Sequence, residues 1–340
     1  MNRGKMMKWL AANMAITAVA LATGSAAHAE AQEVRIFRQY SLPYLALMVM
    51  EDQKLLERHA AAAGVDVAAQ WSVVSIPSAV NDALLSGNLD FASAGVNAFL
   101  TVWDKTLGTN SAIHALGAYN ASPFFLNTRN PAVHSIRDFT DNDKIAVPAV
   151  GVSIMALVLQ MATANEYGME NYDKLNHLTV SLPQAEATAA MMSGELEITA
   201  NFSVAPFQYL QLQNPDIRKV LSSYDVLGGP LSMGVVYTTD RYYAENPEIV
   251  AAFRAAYAEA NQFIESNPEQ AARTYQRMSK DSMKLEDIVN LIEDPDFFFD
   301  TVPRKTKRLA DFMHDIGRMK NRIDSWQDLF FPEVHSENGS

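Results

Sequence analysis

The sequence predicts a two-lobed α/β protein, and three observations lead there. Strand-prone and helix-prone segments alternate over the first two-thirds of the chain, the pattern of parallel sheets covered by helices. That alternation restarts near residue 143. One unit is also spelled twice, as "SIPSAVNDALLSGNLD" at 75–90 and "SLPQAEATAAMMSGELE" at 181–197. Each copy runs from Ser-aliphatic-Pro through an Ala-rich stretch to Ser-Gly-x-Leu-acid, and the second has one extra residue. A helix feeding a strand, used once in each half, implies two similar lobes.

The elements follow in order. "EVRIFRQY" (33–40) alternates and reads as the first strand. Pro43 opens a helical run to Gly64. "VDVAAQWSVV" is the second strand, and the first Ser-Ile-Pro helix stops near Ser86-Gly87. "LDFASAG" is a short strand into a turn, "VNAFLTVWDKTLG" a helix and "AIHALGAY" a strand. In the second half, "DKIAVPA" (143–149) is a strand and "GVSIMALVLQMATANEYG" (151–168) a helix bounded by glycines. "HLTVS", the Ser-Leu-Pro helix, "LEITANFS", "VAPFQYLQLQ" and "IRKVLSSY" continue the alternation. From Arg241 the chain turns helical. Two helices begin Asn-Pro-Glu, with Asn as cap and Pro at the first position. Residues 304–323 carry Leu309, Phe312, Met313, Ile316, Met319 and Ile323 on one stripe.

Two β-prone segments, 120–130 and 228–239, read as crossovers. The expected division is 30–120 plus 238–340 as lobe 1, and 121–237 as lobe 2. In open α/β lobes ligands bind beyond the carboxyl ends of the strands, so a cleft with hinged closure is expected between the lobes.

Composition bounds the function. The chain has 340 residues, 49% hydrophobic and 19% charged, enough for a substantial core. Arg3, Lys5 and Lys8, an apolar run from Trp9 to about Ala22, and "AHA" at 27–29 read as a Sec-type secretory signal, residues 1–29, cleaved after Ala29. The run is short for a membrane anchor. Its removal leaves 24 basic against 39 acidic side chains, a net charge of −15. Such an acidic chain is a poor partner for nucleic acid. The absence of Cys excludes disulfides and thiol chemistry and, with export, suggests a bacterial periplasm.

Chemistry-bearing motifs are sparse. There is no G-x-S-x-G elbow, phosphate-binding loop or dinucleotide fingerprint. The histidines lack metal spacing, and "EDPDFFFD" (293–300) matches no calcium loop. "RKTKR" (304–308) reads as a solvated helix face. An enzyme on this scaffold would need a base such as His114 or His177 beside a cleft serine. No catalytic residue, cofactor or metal is expected.

Certain segments resemble the periplasmic solute-binding proteins of ABC importers, in the nitrate/sulfonate/taurine-type branch with thiamine-precursor-binding-like relatives. They are the signal, "YSLPYLALMV", "ALLSGNLDFASAGVNAF", "FTDNDKIAVPAVGVSIMALVLQMA" and "MMSGELEITANFSVAPF", and the resemblance covers 31–335. It implies a two-lobed periplasmic-binding-protein (type II) fold, with two parallel-type lobes joined by two crossover strands. It also implies delivery of a bound solute to a permease and ATPase at the inner membrane. A monomer is expected. In the first ligand loop, where relatives often have Gly, this chain reads Arg38-Gln39-Tyr40-Ser41.

Strand ends and helix starts nominate the site residues. They are Gln39, Tyr40 and Ser41 after the first strand, and Ser78 at the start of the first repeat helix. Gly95 and Asn97 lie in the next turn, and Gly151, Val152 and Ser153 at the start of the lobe-2 helix. Asn201 and Ser203 are nominated as lobe 2's counterpart of that turn. Ser122 and Phe124 are candidates for the cleft floor. A small anion, sulfonate, taurine-like or nitrate-like, suits helix N-termini. A heteroaromatic pyrimidine would instead stack on Tyr40, Trp71, Phe99, Phe124 or Phe202.

Overall fold

The computed structural model describes residues 31–340 except 74–76, 195–196 and 282, and leaves aside the side chains of 77 and 78. The expected signal and the Ser78 hydroxyl therefore lie outside the described residues.

Among the described residues ten strands fall into sets of two, three and five, the first two joined by a bridge so that both lobes share one design. In lobe 1, β1 (Glu33–Arg38) and β2 (Ala68–Val73) pair in parallel. Next, β3 (Ala92–Gly95) and β4 (Ile113–Ala121) flank the antiparallel β10 (Ser232–Thr239). A parallel bridge from Ile36 to Phe91, with Phe37 N–H donating to Phe91 O at 3.0 Å, joins the two sets in the order β2-β1-β3-β10-β4. Lobe 2 repeats it. Its strands are β5 (Phe125–Thr128), β6 (Ile145–Val147), β7 (Thr179–Ser181), β8 (Ala200–Ser203) and β9 (Arg218–Ser222), in the order β7-β6-β8-β5-β9. Each sheet thus has one antiparallel strand, the one that arrives from the other lobe. The lobes are therefore parallel-type, as expected, apart from the crossover strand, which enters each sheet from its opposite end.

The helices cover these sheets. Lobe 1 carries α1 (Leu45–Asp52), α2 (Leu55–Ala62), α3 (Pro77–Leu85) and α4 (Val96–Thr106). Lobe 2 carries α5 (Ile154–Tyr167), α6 (Gln184–Ser193), α7 (Phe207–Leu212) and α8 (Ser223–Leu227). After β10 come α9 (Asp240–Glu245), α10 (Pro247–Ser266), α11 (Pro268–Ser279), α12 (Leu285–Ile292) and α13 (Thr306–Asp315). A large apolar core includes Phe37, Phe91, Phe99, Phe124, Phe202 and Phe253; a smaller one under α6 includes Ala146, Ala187, Met191 and Ile217.

The duplicated unit is scaffold. Gly87 and Gly194 end α3 and α6 in the left-handed region, both at φ +73°, where glycine carries no side-chain penalty. The pairing then shows a slip in the echo. Asp90 and Phe91 N–H groups both donate to Arg35 O, while those of Thr199 and Ala200 both donate to Lys144 O. Asp90 is therefore matched by Thr199, two residues past the acid Glu197 of the second copy.

Three boundaries differ from the sequence reading. The expected lobe boundary at 237 falls inside β10, which pairs with β3 and β4, so the return to lobe 1 precedes Ser232. The helical run after Pro43 breaks at Lys54, which is left-handed at φ 51°. The helix expected over 304–323 ends at Asp315, with Gly317 at φ 73° turning the chain.

Candidate functional site

Two helix starts, those that follow the carboxyl ends of β3 and β6, meet at the junction of the lobes. Gly95 closes β3 and precedes α4, which has no side-chain cap. Loop 148–153 follows β6 and leads into α5. Across the junction Asn97 Nδ2 donates to Val152 O. A Cβ placed on Gly95 would lie 3.9 Å from Ile154 Cβ, so the two helix starts are in contact range. Gly95, Asn97, Gly151 and Val152 are therefore brought together at one seam.

Loop 148–153 is held mostly from within its own lobe. Val150 N–H donates to Ser181 Oγ at 2.9 Å, and Ser153 N–H to Ala149 O at 3.0 Å. Ser153 Oγ caps α5 by accepting from Ala156 N–H, and donates to Ala149 O at 2.9 Å. Ser153 thus acts as a cap, with its hydroxyl fully engaged. The first-turn N–H groups of Ile154 and Met155 have no acceptor among the described residues. Together with the uncapped start of α4 they make the seam positive in character.

The other nominated residues divide. Tyr40 is 53% exposed. Ser41 precedes a short 3-10 turn (Leu42–Tyr44) without capping it, and Gln39 contributes its carbonyl to Arg38 Nη1. Arg38 itself is buried and paired with Glu51, so its charge is neutralised in place. Asn201 and Ser203 lie within β8 rather than in the turn beyond it, because of the slip in the echo. Both are buried in a polar cluster of lobe 2. There Asn127 Nδ2 reaches Gln208 O and Gln211 Oε1, and Gln211 Nε2 reaches Thr188 Oγ1. Ser203 Oγ faces Gln211 Oε1, while Asn201 Nδ2 has no partner among the described residues. The turn that follows β8 is Val204 to Pro206. Ser122, on the first crossover, is fully buried with its hydroxyl unpartnered among the described residues, whereas Phe124 packs into the core.

Arg318 is a seam residue that the sequence pattern did not reveal. Its Nη1 donates to Gly151 O at 2.9 Å and its Nη2 to Gln160 Oε1 at 2.8 Å. Burial lowers its guanidinium from the ordinary value, with Tyr172 acting weakly the other way. Gly151 is 167 positions away in sequence, so no local spacing announces the contact.

The two histidines named for an enzyme each bond a carboxylate. His114 Nδ1 bonds Asp240, and His177 Nε2 bonds Asp141. Of the aromatics a stacked ligand would use, Phe99, Phe124 and Phe202 are wholly buried in the core. In "EDPDFFFD", Asp300 pairs with Arg304, and Phe298 bridges to Ala121 at the crossover.

Two lobes of matching strand order, joined by two crossovers and touching at their strand ends, have the fold of the periplasmic solute-binding proteins. The chain belongs to the NMT1/THI5-like family, whose model matches residues 60–271. No curated protein matches it by sequence. Among solved structures it is similar to the periplasmic aliphatic sulphonate binding protein SsuA from Escherichia coli. The TM-score is 0.68 at 16% identity, over 89% of this chain and 93% of that one. The alkanesulfonate-binding protein SsuA from Xanthomonas axonopodis pv. citri, bound to MOPS, gives 0.66 at 17% identity, over 87% and 96%. The periplasmic nitrate-binding protein NrtA from Synechocystis PCC 6803 gives 0.66 at 14%, over 87% and 84%.

Proposed function

We propose that this chain is the solute-binding component of an ABC importer. In this reading it is exported by the signal at 1–29, captures a small anionic solute in the periplasm, and delivers it to a permease and ATPase. It performs no chemistry on the solute and acts as a monomer. Among the described residues no helix is long and apolar enough to cross a membrane.

The observation that carries the reading is the meeting of two helix starts, α4 of one lobe and α5 of the other, at the ends of their sheets. Free N–H groups there suit an oxyanion, as helix N-termini generally do. The sulfonate- and nitrate-binding structural neighbours support the same class, with a sulfonate, taurine-like or nitrate-like solute as the ligand. Ile154 and Met155 N–H groups are assigned to the anion, with Tyr40 at the rim. The heteroaromatic alternative is weakened by the burial of three of its five candidate stacking rings.

A thermal-shift screen of residues 30–340 against methanesulfonate, taurine, nitrate, carboxylates and a pyrimidine tests this. Ligand at a hundred times its Kd adds about 2.7 kcal/mol of stability, which reads as a rise of several degrees. A rise with a sulfonate or nitrate supports the reading, and a rise with the pyrimidine alone overturns the anion assignment. No rise with any solute overturns the binding role.

A further inference from the structure

The segment after α12 is more than a C-terminal cover for lobe 1. It first reinforces the crossovers: Phe298 and Ala121 exchange N–H bonds at 2.8 and 2.9 Å, and Ser232 N–H donates to Arg304 O at 3.1 Å. Arg308 of α13 then donates to Leu227 O at 2.7 Å, just before the second crossover. These contacts sit on the hinge side. Beyond α13 the chain returns to lobe 1, where Lys320 and Asn321 N–H groups both donate to Asp104 of α4. Between the hinge side and that anchor lies Arg318, whose backbone belongs to lobe 1 and whose guanidinium grips lobe 2.

We infer that Arg318 is a positioning residue for solute capture: anchored on lobe 1, it holds loop 148–153 of lobe 2 and so sets how readily the lobes close. Three features of the site support this. It bonds the Gly151 carbonyl, next to the Val152 carbonyl taken by Asn97, so two successive carbonyls of the loop are held from the opposite lobe. Planar peptide units then also fix the N–H groups of Val152 and Ser153, the two residues that lead into Ile154 and Met155 at the start of α5. Its second bond, to Gln160 Oε1, ties the loop to the body of α5, and the fork geometry of a guanidinium suits one donor to each acceptor. Finally, Arg318 is half-buried with two neutral acceptors and no carboxylate within ion-pair distance among the described residues. Opening the lobes would give up both bonds.

This inference rests on reading the seam as the ligand site, and its test has an arm free of that reading. The chain lacks Cys, so Ala62→Cys on α2 and Ala189→Cys on α6, both exposed, give two unique spin-label positions, one per lobe. Pulsed dipolar spectroscopy then reads the interlobe distance without ligand. Arg318→Ala should lengthen and broaden that distribution, and Arg318→Lys, which keeps the charge but cannot span both acceptors, should restore only part of it. Methanesulfonate affinity by calorimetry should fall about tenfold in Arg318→Ala, since a smaller closed fraction weakens apparent binding in proportion. An Arg318→Ala or Arg318→Lys distribution identical to that of the parent overturns the inference, and so does an unchanged affinity. If methanesulfonate fails to bind the parent, the sulfonate reading is lost while the distance arm still decides the role of Arg318.

Discussion

In lobe 1 the third strand ends at Gly95 and the return strand β10 brings Gly234 directly opposite it. In lobe 2 the return strand β5 instead sets Phe125 opposite Ser203 and Asn127 opposite Asn201. Strand order is the same in both lobes, and so is the glycine that ends each repeat helix. The strand faces are filled differently. Lobe 1 stacks the buried Tyr44 and Tyr119 rings 4.5 Å apart, with their hydroxyls bonded at 2.9 Å. Lobe 2 buries a cluster of amides and hydroxyls under α6 and α7. The shared part is what any α/β lobe needs to fold. The unshared part, at and behind the strand ends, shapes the seam where the lobes meet.

The largest effect is expected at Gly234. A Cβ there would overlap the Ala94 carbonyl and the Tyr119 ring, and backbone yields little. Gly234→Ala should destabilise the protein by about 3 kcal/mol, read as a lowered urea midpoint. A neutral result would mean that the close packing of β10 on β3 is not what lobe 1 depends on.

Next comes the buried amide cluster of lobe 2. Asn127→Ala removes the donor to Gln208 O and Gln211 Oε1 in a fully buried setting. Leaving buried acceptors unmet costs about 1–3 kcal/mol, so a loss near 2 kcal/mol is expected by chemical denaturation.

Each lobe also staples its first and third strands with a carboxylate. In lobe 1, Asp90 accepts from Arg35 N–H and its guanidinium at 2.7–3.0 Å. In lobe 2, Asp143 accepts from Thr140 N–H at 2.9 Å, Asn130 at 2.8 Å and Thr199 at 2.9 Å. Burial alone would raise the Asp143 pKa, but these donors outweigh it and hold it below the ordinary carboxylate value. Its stabilisation is therefore present above the unfolded-chain pKa, about 3.9, and is lost as pH falls through the lower folded value. Asp143→Asn should lose about 1–2 kcal/mol at pH 7, and the gap should close on acidification. A gap independent of pH would place its role in packing.

The smallest contrast separates the two repeat glycines. Gly87→Ala and Gly194→Ala both pay the left-handed penalty, about 1 kcal/mol. Alanine at 87 comes no closer than 3.9 Å to Arg241, whereas at 194 it would displace the Arg129 guanidinium. Gly194→Ala should therefore be the worse of the pair by a few tenths of a kcal/mol in paired melts. Equal losses would show that Arg129 moves aside freely.

The sequence made the alternation, the two-lobe division and the start of α5 legible because each is written locally, in periodicity, capping and glycine placement. The misreadings share a cause. The echo sets Asn201 and Ser203 as counterparts of Gly95 and Asn97, whereas the strand pairing puts those counterparts three residues on, at Val204 and Pro206. The boundary inside β10 comes from a crossover that joins distant segments. Arg318 sits in a stretch that reads as an ordinary helix stripe, and its partners lie in the other lobe.

The central claim is that one solute is held jointly by both lobes at the starts of α4 and α5. Residue-resolved hydrogen exchange on the mature chain, with and without the sulfonate or nitrate selected by thermal shift, tests it most directly. Simultaneous slowing at 96–98 and 154–156 is the predicted result. Protection confined to one lobe, or located away from both helix starts, would contradict it.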